Sequence, residues 1–166
     1  MKFWLSIVLS LCVTAVGFFA LSAGTHDFTV WTEEGERRWS ALNHPASLPA
    51  FEWLNQDRKS QSLSSLNKPI VLLDFVYTRC LTVCQLMGYE LKQVQQTLSE
   101  EQLQDSVELL SLSFDPEYDT PEKMGAYLQR HKEEPGCWQA GVIEARASLS
   151  RLLDQLGVVV LPDGSG

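Results

Sequence analysis

The sequence predicts an α/β domain built on a parallel sheet, preceded by one apolar segment long enough to span a membrane. After residue 49, apolar runs rich in β-formers alternate with amphipathic runs, which is the pattern of right-handed βαβ units. The length of 166 residues, 45% hydrophobic and 20% charged, is that of one globular domain and not of a disordered chain. The net charge of −8 offers nothing to neutralise phosphates, so nucleic acid is not expected as a partner.

Residues 1–24 are predicted to be a membrane anchor or signal segment. "FWLSIVLSLCVTAVGFFALSA" carries no charge and is long enough to cross a bilayer as a helix. The apolar core of a cleaved signal peptide usually spans only about 7–15 residues. This favours an uncleaved anchor over a cleaved signal. Lys2 on one side and Arg37 and Arg38 on the other leave the orientation open, and Cys12 is expected to be simply a small apolar side chain.

Residues 25–49 are predicted to be a juxtamembrane spacer. "TEEGERRWSAL" favours a short helix with Thr32 as its N-cap, and the prolines of "NHPASLP" then end it. His26 and His44 fall in this spacer and are expected to be solvated.

Residues 50–166 are predicted to form the α/β domain. The expected order is a short strand or hairpin in "AFEWLNQDRKS", a buried strand in "KPIVLLDFVY", a helix from about Thr82, a strand in "SVELLSLSF", a helix to about His131, a third strand in "GCWQAGVI", a helix in "EARASLSRLLDQLG", and an extended segment from "VVVLP".

The helices should be oriented by apolar stripes and bounded by caps. Asp119 or Thr120 is expected to cap the helix that begins near Pro121, and Gly157 should follow the end of the last helix. The positions expected to face the core are Met87, Leu91, Val94 and Leu98 in the first helix of the domain and Leu149, Leu152, Leu153 and Leu156 in the last.

Two cysteines mark the candidate site. Cys80 should lie just before a helix N-terminus and Cys84 in its first turn, at the carboxyl end of a strand, where open α/β sheets gather ligands. The helix dipole and the neighbouring Arg79 favour a thiolate, so we expect an ionised, accessible pair.

Three interpretations of this pair stay open. The cysteines could be inert core residues. They could be a redox-active disulfide, although thioredoxin-like motifs usually have two intervening residues and this one has three. They could hold a soft metal, for which two thiolates suit Cu(I) better than Zn(II), since structural zinc requires four ligands. Cys137, in "PGCWQ", is expected to be a small buried residue and not a resolving thiol.

The stretches "DFVYTRCLTVCQLMG" and "LLSLSFDPEYDTPEKMGAYLQR" together resemble the Sco/SenC family. These are membrane-anchored, thioredoxin-like proteins, related to the peroxiredoxins, that assemble the copper site of cytochrome c oxidase. The resemblance covers roughly residues 45–160. It rests on the F-x-Y-T-x-C-x-x-x-C loop and the S-x-D-P-x-x-D-T-P turn.

The resemblance implies a metal site, a partner and a location. Cys80 and Cys84 would be copper ligands, with Cu(I) favoured, or the redox pair in relatives that act as reductants. The partner would be an apo cytochrome c oxidase subunit. The protein would be a single-pass protein of the inner membrane with its domain facing the periplasm or an equivalent compartment. It would be a metallochaperone more than an enzyme.

The family turn and loop are matched with differences. Asp115, Pro116, Asp119 and Pro121 match the turn, where they are expected to cap the helix and fix the loop. Leu81 and Gln85 stand where the family commonly has prolines after each cysteine.

The family's third copper ligand is a histidine that follows the helix ending here at Leu156, and further strands and a helix complete its sheet. The sequence ends at Gly166. We therefore expect a domain that lacks the last strands and helix, from a truncated or frameshifted product, and that is marginally stable and prone to aggregate. His26, His44 and His131 are poor candidates for the missing ligand.

Three functional hypotheses follow. The first is a copper assembly factor that binds copper through Cys80 and Cys84. The second is a membrane-tethered thiol–disulfide oxidoreductase that reduces the cysteines of an apo-oxidase subunit. The third is a non-functional remnant.

Overall fold

The computed structural model describes residues 2–25, 28, 30–45, 47–80, 83–131 and 136–160. The chain divides into two compact units, residues 1–47 and residues 48–166. His26, Leu81, Thr82 and the end of the predicted last extended segment lie outside the described residues.

The first unit contains two helices. Helix α1 (Lys2–Gly24) is apolar along its length, and its stretch from Phe3 to Gly24 is long and apolar enough to cross a membrane, a property that a signal sequence would share. Helix α2 (Glu33–Asn43) begins as predicted, because the Thr32 side chain accepts a hydrogen bond of 3.0 Å from the Gly35 N–H.

The second unit is a mixed α/β sheet with helices. Its elements are β1 (Glu52–Asn55), β2 (Ser60–Ser62), β3 (Ile70–Val76), α3 (Val83–Glu100), β4 (Val107–Ser113), α4 (Pro121–His131), β5 (Trp138–Val142) and α5 (Arg146–Gln155). The strands lie in the order β2-β1-β5-β4-β3, in which β3, β4 and β5 are parallel and β1 and β2 form an antiparallel hairpin. The predicted alternation of strands and helices is confirmed.

Two apolar clusters hold the layers together. Side chains of β4 alternate between them, since Leu109 packs with residues of α3 and α4 on one face and Leu110 packs with residues of α5 on the other. Trp53 and Trp138, 1% and 0% exposed, are the largest fully buried side chains. The centre of the sheet is therefore covered on both faces, as the continuous apolar strands require.

Helix α3 is rotated relative to the predicted stripe. Leu91 and Leu98 are buried as expected, but Met87 is 42% exposed and its neighbour Gly88 faces the core instead. The ring of His131 occupies the space beside Gly88, since a Cβ added there would lie 2.7–2.8 Å from that ring. A glycine on the inward face thus lets α3 and α4 approach closely.

Helix α5 also departs from its prediction at one position. Leu149, Leu152 and Leu153 are buried, but Leu156 is 40% exposed because the helix ends at Gln155. Gly157 follows with a φ of +68°, the left-handed conformation expected after a helix. Residues 158–160 form no regular strand.

Strand β3 forms one edge of the sheet within the described part of the chain, pairing there with β4 alone. Its residues Ile70 and Leu72 are 56% and 42% exposed. The carboxyl-terminal half is better covered, since Asp74 and Val76 are buried. The strand that leads to the cysteines is therefore apolar and exposed at its start and buried at its end.

Candidate metal and thiol site

The two cysteines lie together where β3 passes into α3. Strand β3 ends at Val76, and a turn closed by the Cys80 N–H donating to the Tyr77 carbonyl (3.1 Å) brings Cys80 to the start of the helix. The Cys84 N–H then donates to the Cys80 sulfur at 3.2 Å. Cys80 Sγ thus accepts a hydrogen bond from one of the backbone N–H groups that a helix N-terminus leaves without an intrahelical partner. The predicted position of the pair at the carboxyl end of a parallel strand is confirmed.

Asp119 fixes the turn that carries Cys80. Its carboxylate accepts hydrogen bonds from the Thr78 N–H (3.0 Å), from the Thr78 hydroxyl and from the Ser113 hydroxyl (2.6 Å). The carboxylate is 3% exposed, so these bonds are shielded from water. Thr120 instead caps α4, accepting from the Lys123 N–H at 3.4 Å. Of the two alternatives for the cap, the structure selects Thr120.

The rest of the acidic turn holds Arg79. Arg79 donates to Asp115 Oδ2 through Nε and an Nη, at 3.2 and 2.7 Å, and lies 4.6 Å from the ring centre of Tyr118. Pro116 lies half-buried in this turn and Pro121 begins α4. The Arg79 guanidinium therefore pairs with the Asp115 carboxylate.

The predicted accessibility of both thiols is wrong, and so is the predicted ionisation of Cys84. Cys80 and Cys84 are each 6% exposed and belong to the cluster under α3 and α4. Burial raises the pKa of the Cys84 thiol well above its ordinary range, and the neighbouring Cys80 and Asp74 raise it further. Desolvation outweighs the helix N-terminus here, so the Cys84 thiol is neutral at pH 7. No disulfide joins the two cysteines.

A buried acid near the pair was missed by the sequence analysis. Asp74 is 8% exposed, and burial raises its pKa from 3.8 to about 6. Neither carboxylate oxygen has a well-formed hydrogen bond among the described residues, although the adjacent Ser111 hydroxyl lowers the pKa slightly. Asp74 raises the pKa of the buried Tyr127 as well as that of Cys84, which places the three side chains in one environment. The available signal was a lone acid inside the apolar run "IVLLDFV".

The histidines do not join the cysteines. His44 is exposed at the end of α2, with its ring 5.6 Å from that of Trp39. His131 ends α4 as predicted, but its ring packs against Tyr127 at 4.8 Å and its Nε2 is buried. Burial lowers the pKa of His131, and the neighbouring Arg130 and Lys92 lower it further. Among the described residues, no group of three His, Cys, Asp or Glu side chains is placed to hold a metal.

The other sequence candidates are placed as follows. Cys137 is 3% exposed at the start of β5, and its carbonyl accepts from the Leu109 N–H at 2.6 Å, as expected of a structural residue. Cys12 is exposed on α1. Gln85 donates to the Cys80 carbonyl at 3.3 Å, so a polar side chain supports the loop where the family commonly has a proline.

Comparison with known proteins gives a consistent result. The SCO1/SenC family model matches residues 40–136. The SCO1 protein homolog of Bacillus subtilis is 38% identical over 132 residues, which are 78% of this chain and 66% of that protein. The chain therefore spans just under two thirds of the length of this curated relative.

Solved structures share the fold. BsSco, a member of the Sco family of cytochrome c oxidase assembly proteins in which a disulfide switch was identified, is 25% identical with a TM-score of 0.62, covering 73% of this chain and 70% of its own. ScoI of Bradyrhizobium japonicum with copper bound is 26% identical with a TM-score of 0.57, covering 67% of this chain and 68% of its own. These similarities confirm the thioredoxin-like fold of the Sco proteins.

Proposed function

Because the chain belongs to the SCO1/SenC family, we propose that it is a copper-binding assembly factor for the copper site of cytochrome c oxidase. Cys80 and Cys84 hold the copper as cargo. The observation that carries this proposal is the pairing of the two cysteines, with the Cys84 N–H 3.2 Å from the Cys80 sulfur. A ScoI relative with copper bound shares the fold and supports the choice of metal.

The chemistry of the pair favours Cu(I). Thiolates are soft ligands, and Cu(I) accepts the low coordination number that two sulfurs provide. Cu(II) should bind more weakly, since no imidazole lies with the pair among the described residues. The buried surroundings also disfavour excess charge, and a singly charged ion offsets part of the charge of two thiolates.

The neutral Cys84 thiol makes copper binding a proton-releasing reaction. Only the thiolate is a metal ligand, so Cu(I) must displace the proton of the Cys84 thiol. The raised pKa of Cys84 makes this displacement more costly at low pH. Copper affinity should therefore increase as the pH rises.

The rest of the proposal concerns organisation and location. Residues 1–24 anchor the protein in the inner membrane, residues 25–49 act as a spacer, and the domain from residue 50 onward faces the periplasm. There it meets an apo cytochrome c oxidase subunit. Helix α1 supports the anchor, because it is long and apolar enough to span a bilayer.

A copper titration of the full-length, reduced protein in a non-ionic detergent tests the proposal. A colorimetric Cu(I) chelator competes for the metal, and we expect one Cu(I) per chain. The Cys80→Ser and Cys84→Ser variants should each fail to bind Cu(I), because only one thiolate of the pair is left. Cys137→Ser is the matched control, since it removes a buried sulfur from the same apolar cluster and should retain copper. Retention of copper by both site variants would refute the assignment.

A second candidate is a thiol–disulfide oxidoreductase, favoured by the disulfide switch of BsSco. In this reaction Cys80 and Cys84 give up two electrons and two protons and form one disulfide, and a disulfide of the partner is reduced to two thiols. Equilibration with glutathione buffers measures the potential of the pair. No stoichiometric copper, together with a potential in the range of known exchangers, would favour this candidate over the first.

A further inference from the structure

The surface beside the cysteine turn contains a groove that the proposed function does not use. This basic groove has a volume of about 470 Å³ and is lined by Thr78, Tyr118, Lys123, Ala126, Gln129 and Arg130. We propose that it docks an acidic, extended segment of the protein that exchanges copper or electrons with the cysteine pair. The inference rests on the proposed function for the identity of that partner.

The charge of the groove is opposite to that of the chain. Lys123 and Arg130 line it, and no acidic side chain among the described residues does, although the chain has a net charge of −8. In the described part of the chain, no carboxylate forms an ion pair with either residue. Glu122, next to Lys123 in sequence, pairs with Arg58 instead. An acidic segment would therefore meet two cations that still have donors to offer.

The groove is built on ordered parts of the fold. Lys123 Nζ donates to the Tyr118 carbonyl at 2.6 Å and lies 3.1 Å from the ring centre of Tyr118. Arg79 contacts the same ring, 4.6 Å from its centre. Cations over an aromatic ring are attracted by its negative face, so these contacts hold Tyr118 and Lys123 in place. Binding of a partner here therefore costs little conformational entropy of the groove side chains.

The groove lies next to the cysteine turn in sequence, and hydrogen bonds hold the residue that the two share. Thr78 lines it two residues before Cys80, and Thr78 is held by the buried Asp119. A segment seated between Thr78 and α4 therefore lies beside the turn that presents Cys80. The rest of this acidic protein repels an acidic partner. A local basic groove should therefore orient the partner so that its acidic segment faces the cysteine turn.

Fluorescence anisotropy of the full-length protein in a non-ionic detergent tests this inference. The probe is a fluorescein-labelled peptide of alternating Glu and Ser, and the matched peptide of alternating Gln and Ser is its control. The acidic peptide should bind at low salt and be released as salt shortens the Debye length from about 30 Å at 0.01 M to about 3 Å at 1 M. Binding of both peptides alike would overturn the proposal, and so would an acidic peptide that does not bind at low salt.

Charge-matched variants locate the binding. Lys123→Gln with Arg130→Gln should weaken binding about three- to tenfold, as expected for two exposed ion pairs. Lys59→Gln with Arg151→Gln removes the same charge from exposed positions outside the groove and should change binding less than about twofold. An equal loss in both double variants would show only a general charge effect and would refute the groove. Inorganic phosphate that competes as well as the acidic peptide would identify a small-anion site and refute a peptide site.

Copper binding separates this inference from the proposed function. The Lys123 and Arg130 double variant should bind copper like the wild type, since neither residue contacts a sulfur. The variant with Cys80→Ser and Cys84→Ser should lose copper and still bind the acidic peptide. A wild-type protein that binds the acidic peptide but not copper would refute only the copper proposal. A wild-type protein that binds copper but not the acidic peptide would refute only the groove.

Discussion

Replacing Asp74 with asparagine should stabilise the protein at neutral pH and remove much of the pH dependence of its stability between pH 4 and 7. Asp74 is buried in β3, and its pKa is raised from 3.8 to about 6, chiefly by burial. In the unfolded chain the same carboxyl ionises near its ordinary value. Below about pH 4 it is protonated in both states and costs nothing.

The magnitude follows from the two pKa values. As the pH rises above the pKa of Asp74 in the unfolded chain, ionisation favours the unfolded state. The resulting loss of folding free energy is complete once the pH has passed the pKa of the folded protein, about 6. Since each pKa unit corresponds to about 1.4 kcal/mol, the loss is about 3 kcal/mol. That is a large part of the roughly 5–15 kcal/mol that stabilises a typical domain. Asparagine avoids the charge but buries an amide, so the net gain at pH 7 should be about 1–3 kcal/mol.

Urea unfolding of the full-length protein in detergent, followed by tryptophan fluorescence, measures the effect. The buried Trp53 and Trp138 should report the loss of the core. Asp74→Asn should be more stable than the wild type at pH 7 and no more stable at pH 3. Asp105→Asn, at an exposed position, should change stability by less than about 0.5 kcal/mol. An Asp74→Asn advantage that is equal at both pH values, or absent at pH 7, would refute the reasoning.

Four further predictions concern single positions. Asp119→Ala should lower the free energy of unfolding in urea by about 3 kcal/mol, because it leaves three donors without their buried acceptor; a loss below about 1 kcal/mol would contradict this role. Gly88→Ala should lower it by about 1–3 kcal/mol despite the better helix propensity of alanine, and His131→Ala in the same chain should relieve the clash. The Cys84 thiol should react slowly with iodoacetamide at pH 8 and much faster in urea, as measured by peptide mass spectrometry, because burial keeps it protonated; equal rates would show an accessible thiolate. Leu72→Lys should slow the growth of light scattering on warming without changing the urea midpoint, since a lysine on an exposed edge strand opposes strand pairing.

The sequence predicted the order of elements well because each strand and helix carried its own periodicity. It also placed Cys80 and Cys84 correctly, since a strand that runs into a helix fixes the position of the loop between them. It failed on the exposure of the pair, because burial there depends on α4 and β5, which are distant in sequence. Local charges such as Arg79 suggested a thiolate, but the partner of Arg79 is 36 residues away at Asp115.

Two other differences have the same origin in tertiary contacts. A stripe of apolar residues predicted Met87 as inward-facing, whereas the close approach of His131 selects Gly88 for that face. Either Asp119 or Thr120 suited the cap of α4, and local sequence could not choose between them. The choice depends on Thr78, because its N–H and hydroxyl donate hydrogen bonds to the Asp119 carboxylate and Asp119 is then not available as the cap. Sequence pattern thus specifies which elements form, and contacts between elements specify the roles of individual side chains.

Within the described part of the chain β3 lies at an edge of the sheet, and this position has a consequence for the chemistry that follows it. Amide hydrogen exchange should be fast at the start of β3, where Ile70 and Leu72 are exposed, and slow in β4, which is paired on both sides. Peeling of this strand would uncover Cys80 and Cys84 at a lower free energy than global denaturation. We therefore expect this edge strand to provide the two buried thiols with a route to solvent while the remaining layers stay folded.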